Sequence, residues 1–229
     1  MNTAADKRLS TSDEAARHIR RMIFNGDVAP GARIPQDEVA EALGISRIPV
    51  REALIGLERD GLVTIELYRG AFVTPIDADT IIDHYALYGL TFAFAARRAI
   101  ERSDRSSLSS DLRAVLAALK ATDDTAEFTR LAVQFNQTVV RASRSARVKT
   151  LLQSLSGIVP GDFFTSVPAA MPAVRRGLQQ VAKAIAAGDI DAAATAYHRQ
   201  YAHVADEAVN VFAERGLLAS DQATNGGSS

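Results

Sequence analysis

The chain is predicted to be mainly α-helical, with a small winged helix-turn-helix ahead of an all-helical bundle. Three observations predict this. Residues 36–59 carry two short apolar patterns of helical period separated by Gly44-Ile45-Ser46. An alternating run with a turn in it follows at residues 62–74. From residue 78 to about 216, Ala-rich and Leu-rich helical patterns succeed one another without strand-like alternation. With 229 residues and 47% hydrophobic content, two domains of unequal size are expected. They are residues 1–75 and residues 76–218, with 219–229, small, polar and rich in Gly and Ser, as a disordered tail.

The first helix is capped by Ser12 or Asp13 and runs to about Phe24, with Ile19 and Ile23 at helical spacing and Asn25-Gly26 closing it. A loop follows, in which Pro30-Gly31 is a turn signal. The next helix starts near Pro35 or Gln36, carries Val39, Ala40 and Leu43 on one face, and ends at Gly44. Ser46 can cap a further helix to about Arg59, whose stripe of Val50, Leu54 and Leu57 is buried. Arg47 and Arg51, four apart, share another side of that helix. Residues 62–67 alternate like a strand, Tyr68-Arg69-Gly70 is a turn, and residues 71–74 return as the partner strand, forming a wing. Pro75-Ile76-Asp77 is a linker, with Asp77 as the cap of a long helix.

Helices are then expected at roughly 78–102, 107–121, 124–143, 146–157, 168–187 and 190–215, with breaks at Ser103-Asp104, Thr122-Asp123, Pro160-Gly161 and Gly188-Asp189.

Composition narrows the function. The absence of Cys excludes disulfides, thiolate metal sites and thiol nucleophiles. Residues 1–10 are polar rather than signal-like, and no window holds the roughly 18 apolar residues of a membrane span, so a cytoplasmic protein with no membrane partner is expected. Net charge is −1, and residues 1–75 hold ten Lys/Arg against eleven Asp/Glu, so DNA binding must rest on where a few cations are placed. The metalloprotease pattern of paired histidines, Gly-rich phosphate loops and paired catalytic carboxylates are all missing, which weighs against an enzyme. Asp123-Asp124 is read as helix capping.

The stretch Ile34-Pro35-Gln36-Asp37-Glu38-Val39-Ala40-Glu41-Ala42-Leu43-Gly44-Ile45-Ser46-Arg47-Ile48-Pro49-Val50-Arg51-Glu52-Ala53-Leu54 resembles the winged helix-turn-helix of the GntR family. Pro30-Gly31, Leu57-Glu58-Arg59-Asp60-Gly61-Leu62-Val63 and Arg69-Gly70-Ala71-Phe72-Val73 support the resemblance, which covers about a third of the chain. It implies a double-stranded DNA operator as partner. In that setting Arg47 and Arg51 are the candidates for reading bases, because an Arg can bond bidentately to guanine in the major groove. Ser46 with nearby backbone N–H groups can hold a phosphate, Pro49 stiffens the first turn, and Ile48 can pack on a thymine methyl. At the wing, Arg69 beside Gly70 can enter the minor groove and Tyr68 can reach a phosphate. Some members carry an Arg where this chain has Asp37. Taken without the resemblance, Arg47 and Arg51 also read as a solvated face partnered by Glu52 and Glu58, and Arg59 as a surface ion-pair partner.

The long helical remainder, with Ala184-Ile185-Ala186-Ala187-Gly188-Asp189 followed by an Ala-rich helix, resembles the FadR-type subfamily with its FCD effector domain, which implies homodimerisation and binding of a small-molecule effector, often beside a divalent metal. Alignment to that subfamily puts Ala132, Asn136, Leu178 and Gln200 where an Asp and three His ligands are usual, so no metal and no cofactor is expected. His84, His198 and His203 are scattered and His18 lies in the first domain. Tyr88 stands where many members have an effector-gripping Arg, and Phe92 where Glu is common. A pocket of Tyr88, Phe92, Phe135 and Asn136 would suit an effector with apolar or aromatic surface, while Tyr88 and Phe92 can equally be helix-packing core. Arg141 and Arg144 are further candidates for holding an anion, or solvent-facing. The expected function is an effector-responsive repressor, a homodimer on a palindromic operator, released by its effector. The alternatives are a constitutive dimeric DNA-binding regulator and, behind it, an enzyme on a helical scaffold.

Overall fold

The computed structural model describes residues 10–155 and 167–219. The chain forms two units, one from residues up to Ile76 joined by the segment from Arg215 onward, the other Asp77–Glu214.

In the first unit α1 (Thr11–Asn25), α2 (Gln36–Leu43) and α3 (Arg47–Arg59) pack together beside a hairpin of β1 (Val63–Glu66) and β2 (Gly70–Val73). The cap of α1 lies earlier than Ser12 or Asp13. Ser10 accepts from the Asp13 N–H at 3.1 Å and Asp13 accepts from the Ser10 N–H at 3.2 Å, a reciprocal box that starts the helix two or three residues earlier. Gly26 and Gly44 take left-handed conformations that end α1 and α2. Ile19, Ile23, Val39, Val50, Leu54 and Leu57 meet in the core.

The hairpin is antiparallel, with Val63 opposite Val73 and Glu66 opposite Gly70. Its turn is Leu67–Arg69, closed by Arg69 N–H donating to Glu66 C=O at 3.1 Å, one residue earlier than the sequence suggests. The segment after Pro30-Gly31, expected only as a loop, bonds the free edge of β2. Gly31 N–H donates to Val73 C=O, Val73 N–H to Ala32 C=O and Ile34 N–H to Ala71 C=O, at 2.8–2.9 Å. This satisfies an edge that a two-stranded hairpin would leave open.

The residues following the last helix also belong to this unit, although the sequence reading placed the chain up to 218 with the helical part. Arg215 donates to Phe24 C=O at 2.9 Å with its guanidinium 4.4 Å from the Phe24 ring centre, Leu217 is buried, and Ala219 N–H donates to Ile76 C=O at 2.8 Å. Of residues 219–229, read as a disordered tail, Ala219 is thus held by a backbone bond, and 220–229 lie outside the described residues.

The second unit is built on α4 (Ala78–Arg102), capped by Asp77, which accepts from Thr80 N–H at 2.7 Å. It is followed by α5 (Arg105–Ala121), α6 (Thr125–Ser143) and α7 (Ala146–Ser154). A 3₁₀ turn at Pro168–Ala170 then leads into α8 (Met171–Ala187), and α9 (Ile190–Glu214) follows. The expected break at Pro160-Gly161 lies outside the described residues. Helix α4 packs along α9 and α6, α5 along α6 and α8, and α8 along α9. Gly177 allows the α8–α9 approach, since a Cβ there would meet the Gln200 side chain at 2.8–3.0 Å. Two arginines cap helix ends from neighbouring helices. Arg175 donates to Leu119 C=O and Thr122 C=O at 2.9 Å, and Arg102 to Ser143 C=O at 3.3 Å.

Candidate functional site

Helix α3 buries Val50, Ala53, Leu54 and Leu57 and thereby turns Arg47, Ile48 and Arg51 outward. Ile48 is 69% exposed, unusual for an Ile at a helix start. Ser46 sits at the N-cap position, but its hydroxyl makes no cap hydrogen bond, so it is open to an outside partner together with the unpaired N–H groups of the first turn. Pro49 lies half-buried in that turn, where its missing N–H costs nothing.

The two arginines are not partnered by Glu52 and Glu58. Glu58 accepts from the Ile65 N–H at 2.8 Å and ties α3 to the wing. Arg47 Nε instead meets Asp37 Oδ1 of α2 at 2.5 Å, and Arg51 makes no ion pair among the described residues. Arg59, expected as an ion-pair partner, also makes none among them, and its neighbour Asp60 is taken by Arg20 of α1.

On the wing, Tyr68 stands 97% exposed with φ +61°, a left-handed backbone that a tyrosine rarely adopts. Arg69 pairs with Glu66 and lies 5.4 Å from the Phe72 ring centre. Gly70 has φ +111°, a backbone that residues with a side chain rarely adopt, and a Cβ there would lie 2.9 Å from Arg33 Nε and force that guanidinium to shift. A cleft of about 840 Å³ lies between α2, α3 and the wing, bordered by Arg33, Arg47, Arg51, Ile55, Leu67 and Tyr68. Arg33 is the cation that the sequence reading missed. Its position before α2 gives no period, and only the pairing of residues 31–34 with β2 brings it to this edge.

The helical unit brings Tyr88, Phe92 and Asn136 into one cluster through two tyrosines of α9. Phe92 lies parallel to Tyr201, with ring centres 5.5 Å and planes 3° apart, and Tyr88 and Tyr197 stack on the same pair. Asn136 accepts from the Tyr197 hydroxyl at 3.1 Å and donates to that of Tyr201 at 3.4 Å. Phe135 is wholly buried in the core. Burial pushes the Tyr197 and Tyr201 hydroxyls well above the ordinary tyrosine range, and burial pulls His84, edge-on to Tyr85 and Tyr88, down to about 4. Arg141 donates to Thr138 Oγ1 at 3.0 Å, and Arg144 ends α6 in a left-handed conformation.

The four positions at which related domains hold a metal do not suit one here. Ala132 and Leu178 have no donor atom, the Asn136 amide is engaged by tyrosines, and Gln200 Oε1 is buried against Gly177 without a hydrogen-bond partner. Among the described residues no three His, Asp or Glu side chains converge as a metal site, and no helix is long and apolar enough to cross a membrane.

A cation-bearing helix held open beside a wing defines the class of winged-helix, DNA-binding transcription regulators. The particular family follows from comparison with known proteins. Residues 11–73 match the family described as bacterial regulatory proteins, gntR family, and residues 93–203 match the FCD domain. The chain belongs to the GntR family and carries its DNA-binding domain together with an FCD domain. An uncharacterised HTH-type transcriptional regulator of Mycobacterium tuberculosis is 30% identical over 66% of this chain; the match spans 62% of that relative's length. The gluconate operon transcriptional repressor of Bacillus subtilis is 26% identical over 69% of this chain and 65% of its own. The solved structure of E. coli McbR/YncC shares the fold, with a TM-score of 0.64 at 17% identity, over 90% of this chain and 99% of that one.

Proposed function

We propose that the protein is an effector-responsive repressor that binds a palindromic operator as a homodimer, each α3 entering the major groove of one half-site. The observation that carries this reading is the placement of Arg51 and Arg47 outside a buried stripe at the exposed start of α3, with the wing alongside. Arg47 and Arg51 read bases, Ile48 packs on a thymine methyl, and Ser46 and Tyr68 hold phosphates. Arg69 beside Gly70 reaches the minor groove once it exchanges Glu66 for DNA. The test is fluorescence anisotropy with a duplex selected from a random pool by the full-length protein. Arg51→Ala is expected to weaken binding by about 1–3 kcal/mol, roughly 5- to 150-fold, with the loss confined to one base pair per half-site. An equal loss on all sequences would make Arg51 a phosphate contact.

The effector, a small molecule with apolar or aromatic surface, would enter at Tyr88, Phe92 and Asn136, next to the Phe135 core, and release the protein from DNA. One observation favours a constitutive dimeric regulator instead: the rings stack at 5.5–6.0 Å and the Asn136 amide already serves two tyrosines. A melting-temperature screen of the full chain against small aromatic and aliphatic acids decides between them, because a ligand of the folded state raises apparent stability.

A further inference from the structure

Asp37 is a carboxylate at the heart of a surface meant for a polyanion, and it stands on the first turn of α2, 2.5 Å from Arg47 at the first turn of α3. We propose that Asp37 is a specificity-determining positioning residue, which restrains the Arg47 guanidinium through an ion pair at its Nε edge and so limits how that side chain can meet a base. The proposal rests on the DNA-interface reading above.

An Arg has five N–H donors in a fixed fork and can grip guanine O6 and N7 either side-on, through Nε and one terminal nitrogen, or end-on, through both terminal nitrogens. The Asp37 carboxylate against the Nε edge restricts how the Arg47 guanidinium can turn, and so favours one grip over the other. The chain offers an internal contrast. Arg51, one turn further along the same face, makes no ion pair among the described residues and keeps both modes.

In the free protein the pair is weak, since Arg47 and Asp37 are 63% and 67% exposed and exposed ion pairs contribute little. Docking changes that. DNA displaces water from the cleft, the effective dielectric falls and the attraction strengthens. An Asp37 without its arginine would meanwhile face phosphates of its own sign. The carboxylate therefore keeps Arg47 in the complex, and a mismatch that offers the restrained guanidinium no acceptor leaves its remaining N–H donors buried and unsatisfied. Asp37 lowers affinity for DNA in general and sharpens the choice of base under Arg47.

The experiment uses the full-length protein, a duplex selected from a random pool by the wild type, and versions of it with each guanine replaced in turn. Dissociation constants are measured for wild type, Asp37→Asn, Asp37→Ala, Arg47→Ala and the double variant Asp37→Ala/Arg47→Ala, with melting temperatures as a folding control. Both Asp37 variants are expected to bind a scrambled duplex more tightly and to lose at least fivefold discrimination at the base pair where Arg47→Ala loses it. Discrimination at the Arg51 base pair stays, and Asp37→Ala has no further effect on discrimination in the Arg47→Ala background. Tighter binding to every duplex with guanine discrimination intact would overturn the proposal and leave Asp37 as simple repulsion. Failure of the wild type to select any duplex would overturn the DNA-interface reading itself, and this one with it.

Discussion

In the winged unit the side chains of Arg33, Arg51 and Ser46 make no hydrogen bond among the described residues, whereas in the helical unit Arg102, Arg175 and Asn136 are all tied to other helices. The same contrast separates the exposed Tyr68 of the winged unit from the stacked and buried Tyr197 and Tyr201 of the helical unit. Polar groups left to water are stable as they stand and exchange water for a ligand at little cost. Polar groups already satisfied inside a fold hold that fold, and engaging them elsewhere breaks bonds first. The winged unit is thus preformed for its partner. The helical unit has placed its functional candidates where packing already uses them.

The sharpest way to break this contrast is Phe135→Ala. As core, a wholly buried ring costs about 3–5 kcal/mol when truncated, read by denaturant unfolding. A loss under about 1 kcal/mol, with altered ligand response, would instead make Phe135 the wall of a pocket that opens. Asn136→Ala comes next. It strips partners from the hydroxyls of Tyr197 and Tyr201, and a buried orphaned polar group costs about 1–3 kcal/mol. Restoration of most of that loss in Asn136→Ala/Tyr197→Phe would show that the amide serves the tyrosines rather than an effector.

A third test uses pH. His84 is held neutral, with its folded-state value near 4 against about 6.5 when unfolded, so the unfolded chain binds the extra proton between those limits. Its contribution is fully present above about pH 6.5 and is lost as pH falls toward 4. The wild type should therefore lose more melting temperature over that window than His84→Gln, in which the titrating group is gone. Equal losses would mean that the ring is hydrated in solution.

How much of this was legible in the sequence differs between the units for a physical reason. The helix-turn-helix was readable because its signals are local: Gly44 can turn left-handed, and the stripe of Val50, Leu54 and Leu57 fixes which side of α3 faces out. The helices of the second unit were equally readable, down to the cap at Asp77 and the stop at Gly188. What the sequence could not reveal depends on chain segments far apart. The bonding of residues 31–34 to β2, the Arg47–Asp37 pair across the turn and the return of Arg215 to Phe24 leave no periodic trace. The Ser10 cap was missed because Ser12 and Asp13 offer the same chemistry two and three residues later.

The smallest effect is expected where the winged unit departs from its own economy. Tyr68 holds φ +61° without being Gly or Asn, and strain of that kind survives where the surrounding turn over-determines it. Tyr68→Asn keeps the left-handed residue but in a type that tolerates it, so folding stability should rise by less than about 1 kcal/mol. If the ring is held out for DNA, the same substitution weakens binding a fewfold and evenly across sequences, because a phosphate contact carries no base information. A stability gain with unchanged affinity would show that the exposed ring serves neither fold nor DNA, and would move the wing's contribution to Arg69 and Gly70.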